Sequence, residues 1–472
     1  MIDFSISNDE YQNDLAELIR PFESRTDENI SLAVEYQNQE GVFKIQITSN
    51  KFDGFVKNYV FKIDTDGELE RKRVEKRYLK IAIYRTLSFL LNVNLPYGCL
   101  TGIRPTKLYC EIENDKDRYS KSAHDVFLKD YSVSEGKVEL IEKIVNVQKP
   151  IRNKSSRQYD VFVFIPFCPT RCAYCSFVSL PIDKQRKLVE PYVDCLIREL
   201  EQTKEIIAKK CIKVRAVYVG GGTPTSIGAQ LLDKVLQHCH FDAPEFTVEA
   251  GRPDTINADI VEVMQKHGVT RVSVNPQTFN DKTLDIIGRK HKSADTYNAY
   301  MLVRDKFDVN MDLIACLPNE TIDDFKRSVD IAVALDPANV TVHTLYMKKG
   351  SALKQCGYDN TDFETASQMV DYAYRKLTSA GYEPYYMYRQ KYTSGNLENV
   401  GYAKKGKACV YNVDIMEEDT SIIANGANGI SKKWNKKKNL ITRCANYKEP
   451  IEYIKHFDSM LERQREFWLQ QK

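Results

Sequence analysis

The chain has little that would commit it to a membrane, an export route or a polyanion. No apolar run approaches the length of a membrane span. The first residues, MIDFSISNDEYQND, are acidic and polar, without the basic and apolar blocks of an export signal. Net charge is only +3, too small an imbalance to argue for a nucleic-acid partner. The twelve cysteines therefore read as reduced thiols in a cytoplasm, where disulfides are disfavoured. What is present is ordinary for a globular protein: 472 residues, 42% hydrophobic and 28% charged, enough for two or three domains.

One stretch stands apart. Val161 to Phe177 reads VFVFIPFCPTRCAYCSF. Val161 to Ile165 has the length of a buried strand, and Pro166 stops it. Cys168, Cys172 and Cys175 follow in a CxxxCxxC pattern. A structural zinc site would need four closed ligands, and no second CxxC pair matches this one. Iron–sulfur clusters are held by cysteine thiolates, normally four. Three thiolates would leave one iron open to a ligand that is not protein.

The rest of the chain divides around this loop. Residues 31–64 alternate in the strand manner, with Phe43, Ile45 and Ile47 and then Tyr59, Phe61 and Ile63 at a spacing of two. A helix is predicted over 69–91, its first half basic. That basic face reads as a solvated surface, because no aromatic pattern accompanies it for stacking on RNA. Residues 1–150 are thus an N-terminal α+β domain. From 159 to 350, strand and helix patterns alternate, as in βα units around a parallel sheet. Strands are predicted at 160–165, 213–219, 245–250, 270–275, 309–315 and 339–345. Residues 351–472 form a C-terminal α+β part, in which five tyrosines fall between Tyr382 and Tyr392.

The IPFC and Tyr174 context of the cysteines, with the GGGTP at 220–224, resembles radical S-adenosylmethionine (SAM) enzymes. More narrowly, it resembles the oxygen-independent coproporphyrinogen III oxidase-like group. The segment LPYGCLTGIRPTKL, Leu95 to Leu108, looks like one found in the HemZ-type coproporphyrinogen dehydrogenase subgroup. The resemblance implies an α/β fold with a partial (β/α)6 TIM-like barrel. It implies a 4Fe–4S cluster on Cys168, Cys172 and Cys175, and SAM at the open iron. The family's SAM contacts map onto Gly221, Gly222, Thr223, Glu249, Gln277, Arg289 and Asp312. The glycines are expected to present N–H groups to the ligand.

The implied reaction takes a hydrogen atom from the β-carbon of a porphyrinogen propionate. Loss of CO2 and one electron then leaves a vinyl group. Done twice, this turns coproporphyrinogen III into protoporphyrinogen IX. The implied partners are a tetrapyrrole substrate and an electron donor such as flavodoxin or ferredoxin. Arg252, Arg389 and Lys391 are candidate anchors for the substrate's carboxylates, under a C-terminal part that covers the substrate.

Some positions depart from the family. Phe162 and Phe164 stand where the family often has Tyr and His, and Phe177 stands where one oxidase has a further Cys. Gly395-Asn396 replaces the His-Asn pair of the haem-chaperone branch, and Gly426-Ala427 only partly matches a GxGAxS segment. The alternatives to the oxidase reading are a haem chaperone of the same fold and a radical enzyme acting on another tetrapyrrole such as haem.

Overall fold

The computed structural model describes the chain except residues 24, 66, 116–118, 120, 176–178, 347–350, 356–357, 359–362, 391–392, 438–439 and 471–472, and except the side chains of 69 and 394. It divides into two compact units, Met1–Glu142 and Lys143–Lys472.

The first unit is a four-stranded sheet covered by helices. Its strands are β1 (Ile2–Ile6), β2 (Ile30–Gln39), β3 (Val42–Ser49) and β4 (Phe55–Lys62), in that spatial order. Alternation decides the faces. Phe43, Ile45 and Ile47 of β3 are buried, while Lys44 and Gln46 are exposed. The helix Glu68–Leu91 packs on the sheet, with Tyr78 stacked on Phe61 at 4.2 Å. Its basic face is largely taken up within the unit. Lys72 pairs with Glu10 at 2.7 Å, Lys76 with Asp14 at 3.2 Å, and Arg73 with Glu111 at 3.4 Å. The Arg77 guanidinium lies over the rings of Tyr119 and Tyr131.

The second unit holds the cysteine loop. Its strands are β5 (Gln158–Ile165), β6 (Phe167–Cys168), β7 (Leu180–Pro181), β8 (Lys213–Gly221), β9 (Glu245–Val248), β10 (Arg271–Ser273), β11 (Asp308–Ala315) and β12 (Asn339–Thr344). They are followed by β13 (Glu383–Arg389), β14 (Glu398–Ala403), β15 (Ser421–Asn425), β16 (Ile430–Asn435) and β17 (Leu440–Ala445). Eleven of these form one sheet, in the order β13-β14-β12-β11-β10-β9-β8-β5-β15-β16-β17. The central six, β5 and β8 to β12, are parallel neighbours in chain order. A helix follows each of them, as parallel connections require. This is an α/β fold of six βα units.

No break in the sheet occurs at residue 351, where the sequence pattern suggests a boundary. β14 pairs with β12, and β15 runs parallel to β5 with Ser421 opposite Tyr159. The C-terminal residues thus extend both edges of the same sheet.

The two faces of the parallel strands differ. Val161, Val163, Ile165, Val217, Val219, Val248 and Met311 face the helices and join Leu196, Leu200, Leu232 and Ile260 in the main core. Alternate residues point the other way. That inner face carries Phe162, Tyr218, Glu249, Ser273, Asp312, Thr341 and His343. A closed barrel fills its interior with branched apolar side chains. Polar and aromatic residues here instead mark a binding face.

One buried acid fastens the C-terminal part to the barrel. Glu199, on the helix Ile182–Lys210, accepts hydrogen bonds from Gly426 N (2.7 Å), Tyr453 OH (2.6 Å), Asn446 Nδ2 (2.8 Å) and Gln464 Nε2 (2.7 Å). Burial raises its pKa, and these donors act in the opposite direction. Ala427 N donates to Tyr192 OH (2.9 Å), which donates in turn to Phe164 O (2.7 Å). The Gly426 turn is thereby tied to the end of β5, just ahead of the cysteine loop.

Candidate functional site

The cysteine loop leaves β5 and is pinned at both ends. β6 pairs with β7, and Leu180 N donates to Pro166 O at 2.7 Å. Two further segments clasp its middle. Thr170 Oγ1 donates to Gly288 O (3.2 Å) and Ala173 N to Ile287 O (2.9 Å). Arg252 Nη1 donates to Thr170 Oγ1 at 2.9 Å. Within the loop, Cys175 N donates to Cys172 O at 3.0 Å, so the chain wraps tightly between these two residues. Cys168, Cys172 and Cys175 are all half-buried. Phe177 lies outside the described residues.

The glycine turn after β8 packs directly on this loop. Thr223 Oγ1 donates to Cys168 Sγ at 3.5 Å. Glycine is required for the approach: a Cβ at Gly222 would lie 2.5 Å from Phe167 O, and one at Gly221 would lie 2.7 Å from the Phe164 ring. The N–H groups do not face open space as the sequence pattern suggests. Gly222 N donates to Ile165 O (2.8 Å), Thr223 N to Phe167 O (2.7 Å) and Gly221 N to Glu249 Oε2 (3.2 Å). They are spent on joining the strand ends.

Glu249 follows β9 and stands beside this turn. Tyr218 OH donates to its Oε1 at 2.5 Å. Burial raises Glu249 to about 6; the Asp312 charge adds to the rise, and the hydrogen bonds from Tyr218 and Gly221 oppose it. Gln277 continues the β10 edge onto β11, donating from its N to Asp312 O and accepting from Ile314 N, both at 2.9 Å. It does so at φ +66°, a strained conformation for a non-glycine residue. Asp312 points inward from β11, with 28% of its side chain exposed. It is not sealed in the apolar run, because its neighbours Met311 and Leu313 occupy the opposite face.

Arg289 is buried against the cysteine loop. Its Nη1 donates to Asn275 O (2.8 Å) and its Nη2 to Tyr174 OH (3.2 Å). Arg252 is not available as a carboxylate anchor. It is 3% exposed and forks onto both oxygens of Asp254, at 2.9 and 2.8 Å, while bracing Thr170. Arg389 is also buried, donating to Asn396 O at 3.3 Å. Lys391 lies outside the described residues.

Three participants escape a sequence reading. Tyr218 and the Thr170 brace carry no motif of their own. His343 is a lone histidine in VTVHTL, and only the fold sets its Nδ1 3.0 Å from Tyr388 OH and its Nε2 3.7 Å from Asp312 Oδ2.

Known proteins identify the family. The model of the radical SAM superfamily matches residues 162–332. The oxygen-independent coproporphyrinogen-III oxidase-like protein HemZ of Bacillus subtilis is 36% identical over 405 residues, 83% of this chain and 80% of that protein. The chain belongs to this radical SAM family. The heme chaperone HemW of Bacillus subtilis is 32% identical over 197 residues, 40% of this chain and 51% of its own. The solved coproporphyrinogen III oxidase HemN of Escherichia coli superposes with a TM-score of 0.52 at 19% identity, over 67% of this chain and 73% of that one. That likeness is one of fold.

Radical SAM proteins use a 4Fe–4S cluster and SAM. The donor set fits both. Three thiols on one wrapped loop can supply one thiolate to each of three irons. Beside them, Arg289 Nε and Asn275 Oδ1 are buried without a hydrogen-bond partner. A buried donor and acceptor left open call for a polar ligand. SAM, with its carboxylate, ammonium and hydroxyls, is of that kind. No described helix is long and apolar enough to cross a membrane.

Proposed function

We propose that this chain is a radical SAM oxidoreductase that converts two propionates of coproporphyrinogen III into vinyl groups, yielding protoporphyrinogen IX. The observation that carries the reading is the contact between Thr223 and Cys168, which puts the glycine turn against the cysteine loop. The 36% identity with HemZ over 83% of the chain supports the same substrate class.

Cys168, Cys172 and Cys175 would hold the cluster. An ammonium group needs acceptors, and the N–H groups of the glycine turn are already engaged. The carbonyls of Gly221 and Gly222, the Thr223 hydroxyl and the Glu249 carboxylate are therefore its partners. Gln277 and Asp312 supply polar contacts farther along the strand ends, and Arg289 Nε supplies a donor. When bound, the cluster and SAM supply a hydrogen-abstracting 5′-deoxyadenosyl radical. The protein contributes orientation and exclusion of water.

Tyr388 of β13 meets His343 beside Asp312, and the C-terminal part would cover the substrate there. Arg389 and Lys391 remain the candidate carboxylate anchors. The electron donor would be a flavodoxin or ferredoxin, in the cytoplasm.

The haem-chaperone reading is disfavoured at one position. Gly395 has φ +61°, and a Cβ there would lie 3.1 Å from Ala366 Cβ and 3.3 Å from the Phe363 ring. A histidine at this position would be strained as well as crowded. The test is anaerobic turnover. Reconstituted protein with SAM, dithionite and coproporphyrinogen III is expected to give 5′-deoxyadenosine and divinyl product by mass spectrometry. 5′-Deoxyadenosine without vinyl product would overturn the substrate, and tight haem binding without either product would favour the chaperone.

The Glu249 assignment has its own pH signature. With the carboxyl held near 6, SAM affinity is expected to fall as pH drops below about 6. Glu249→Gln should abolish that pH dependence and bind weakly throughout, as read by equilibrium dialysis of labelled SAM. The sign for stability is opposite. The folded state holds this proton more tightly than the unfolded chain, so this group's contribution to stability falls as pH rises from about 4.5 to about 6.

A further inference from the structure

The inner face of the sheet carries a chain of polar groups that the family motifs do not include. His343 is on β12, one strand beyond Asp312 on β11. Its Nδ1 lies 3.0 Å from Tyr388 OH, and its Nε2 lies 3.7 Å from Asp312 Oδ2. The imidazole and the carboxylate are 24% and 28% exposed, so both border the same inner space.

Everything behind the imidazole is fixed. Tyr388 stacks on Tyr386 with ring planes 8° apart, and Tyr386 OH lies 3.2 Å from Thr341 Oγ1. Asn399, on the intervening β14, accepts from Thr344 N at 2.8 Å and donates to Tyr388 O at 3.3 Å, tying β12 to β13 beside the pair. A phenol is a better donor than a neutral imidazole N–H. Nδ1 therefore accepts from Tyr388, and Nε2 carries its proton toward Asp312.

We propose that His343, held by Tyr388, is a positioning residue that orients the Asp312 carboxylate toward bound SAM. This rests on the reading of Asp312 as a SAM contact. A carboxylate on an open strand face has several rotamers of similar energy, and a ligand must select one of them. A fixed N–H on one side removes part of that cost and leaves the other oxygen to accept from a hydroxyl of the ligand. At 3.7 Å the Nε2–Oδ2 contact is long, as such contacts often are before the ligand is bound. Partners that orient a liganding side chain are worth roughly 10–100-fold in affinity where they have been measured at metal sites.

The test uses reconstituted holoprotein, anaerobic, with labelled SAM and the variants His343→Ala, His343→Gln, Tyr388→Phe and Asp312→Asn. His343→Ala is expected to raise the Kd for SAM about tenfold. Iron content and melting temperature should match the parent, and kcat at saturating SAM should change less than KM for SAM. His343→Gln keeps a donor for Asp312 and should recover part of the loss. Tyr388→Phe keeps the ring and loses only the hydroxyl, and should give a smaller rise. If Asp312→Asn weakens SAM while Tyr388→Phe and both His343 variants bind like the parent, this inference is wrong and the Asp312 reading stands. If Asp312→Asn itself binds SAM like the parent, the Asp312 reading fails and the inference with it. If His343→Ala loses iron or melts early, Tyr388→Phe and His343→Gln decide the matter by the same comparison of Kd.

Discussion

Cys172→Ala is expected to leave the protein folded and without a cluster. Cys172 is half-buried on the loop between Thr170 and Ala173, the two residues clasped by the Gly288 segment. Its side chain belongs to none of the large apolar clusters, so its loss should cost no more than about 1 kcal/mol of stability. The chemical loss is of another order. With one thiolate removed, only two of the four irons would keep a protein ligand. Reconstituted iron and sulfide should fall close to background, and 5′-deoxyadenosine formation with them. Cys211→Ala is the control, because Cys211 is exposed at the C-terminal end of the helix Ile182–Lys210 and should keep full iron content. A Cys172→Ala protein that retains the parent's iron would remove the loop from the cluster site.

Glu199→Ala is expected to have the largest effect on stability. Four donors converge on this buried carboxylate, from the Gly426 backbone and from Tyr453, Asn446 and Gln464. Removing the acid leaves several buried donors without an acceptor, each costing about 1–3 kcal/mol, partly relieved by relaxation and entering water. A loss of roughly 3–5 kcal/mol is expected, measured by urea unfolding of the holoprotein. The effect should reach the site as well. The same turn is bound through Tyr192 to Phe164 O, two residues before Pro166 and the cysteine loop. Cluster retention on mild heating should therefore drop in parallel. Glu199→Gln keeps two acceptor sites on one oxygen and should lose less. Wild-type stability in Glu199→Ala would show that the hydrogen-bonded hub contributes little.

Much of the site was legible in the chain, for identifiable reasons. The six parallel strands announce themselves because their outward faces are apolar on alternate residues and turn signals follow each one. The cysteine spacing and the glycine turn are local in sequence, so motif reading finds them. What the glycines do is not local. Their N–H groups join β8 to the end of β5 and to Glu249, contacts that exist only once the strands are adjacent. Arg252 shows the same limit. Its type suggests a carboxylate anchor, yet in the structure it forks onto Asp254, two residues away, and braces Thr170. The C-terminal strands read as a separate part because pairing of β15 with β5, 262 residues apart, leaves no local signature. His343 and Tyr388 are 45 residues apart and meet only in the folded sheet, on β12 and β13 with β14 between them.

The most direct measurement follows the hydrogen atom. Coproporphyrinogen III deuterated at the propionate β-carbons, given to the reconstituted protein with SAM and a reductant, should pass deuterium into 5′-deoxyadenosine as vinyl product accumulates. Deuterium in both, in step with turnover, is the expected result. 5′-Deoxyadenosine formed without deuterium, from a substrate recovered intact, would contradict the proposed reaction.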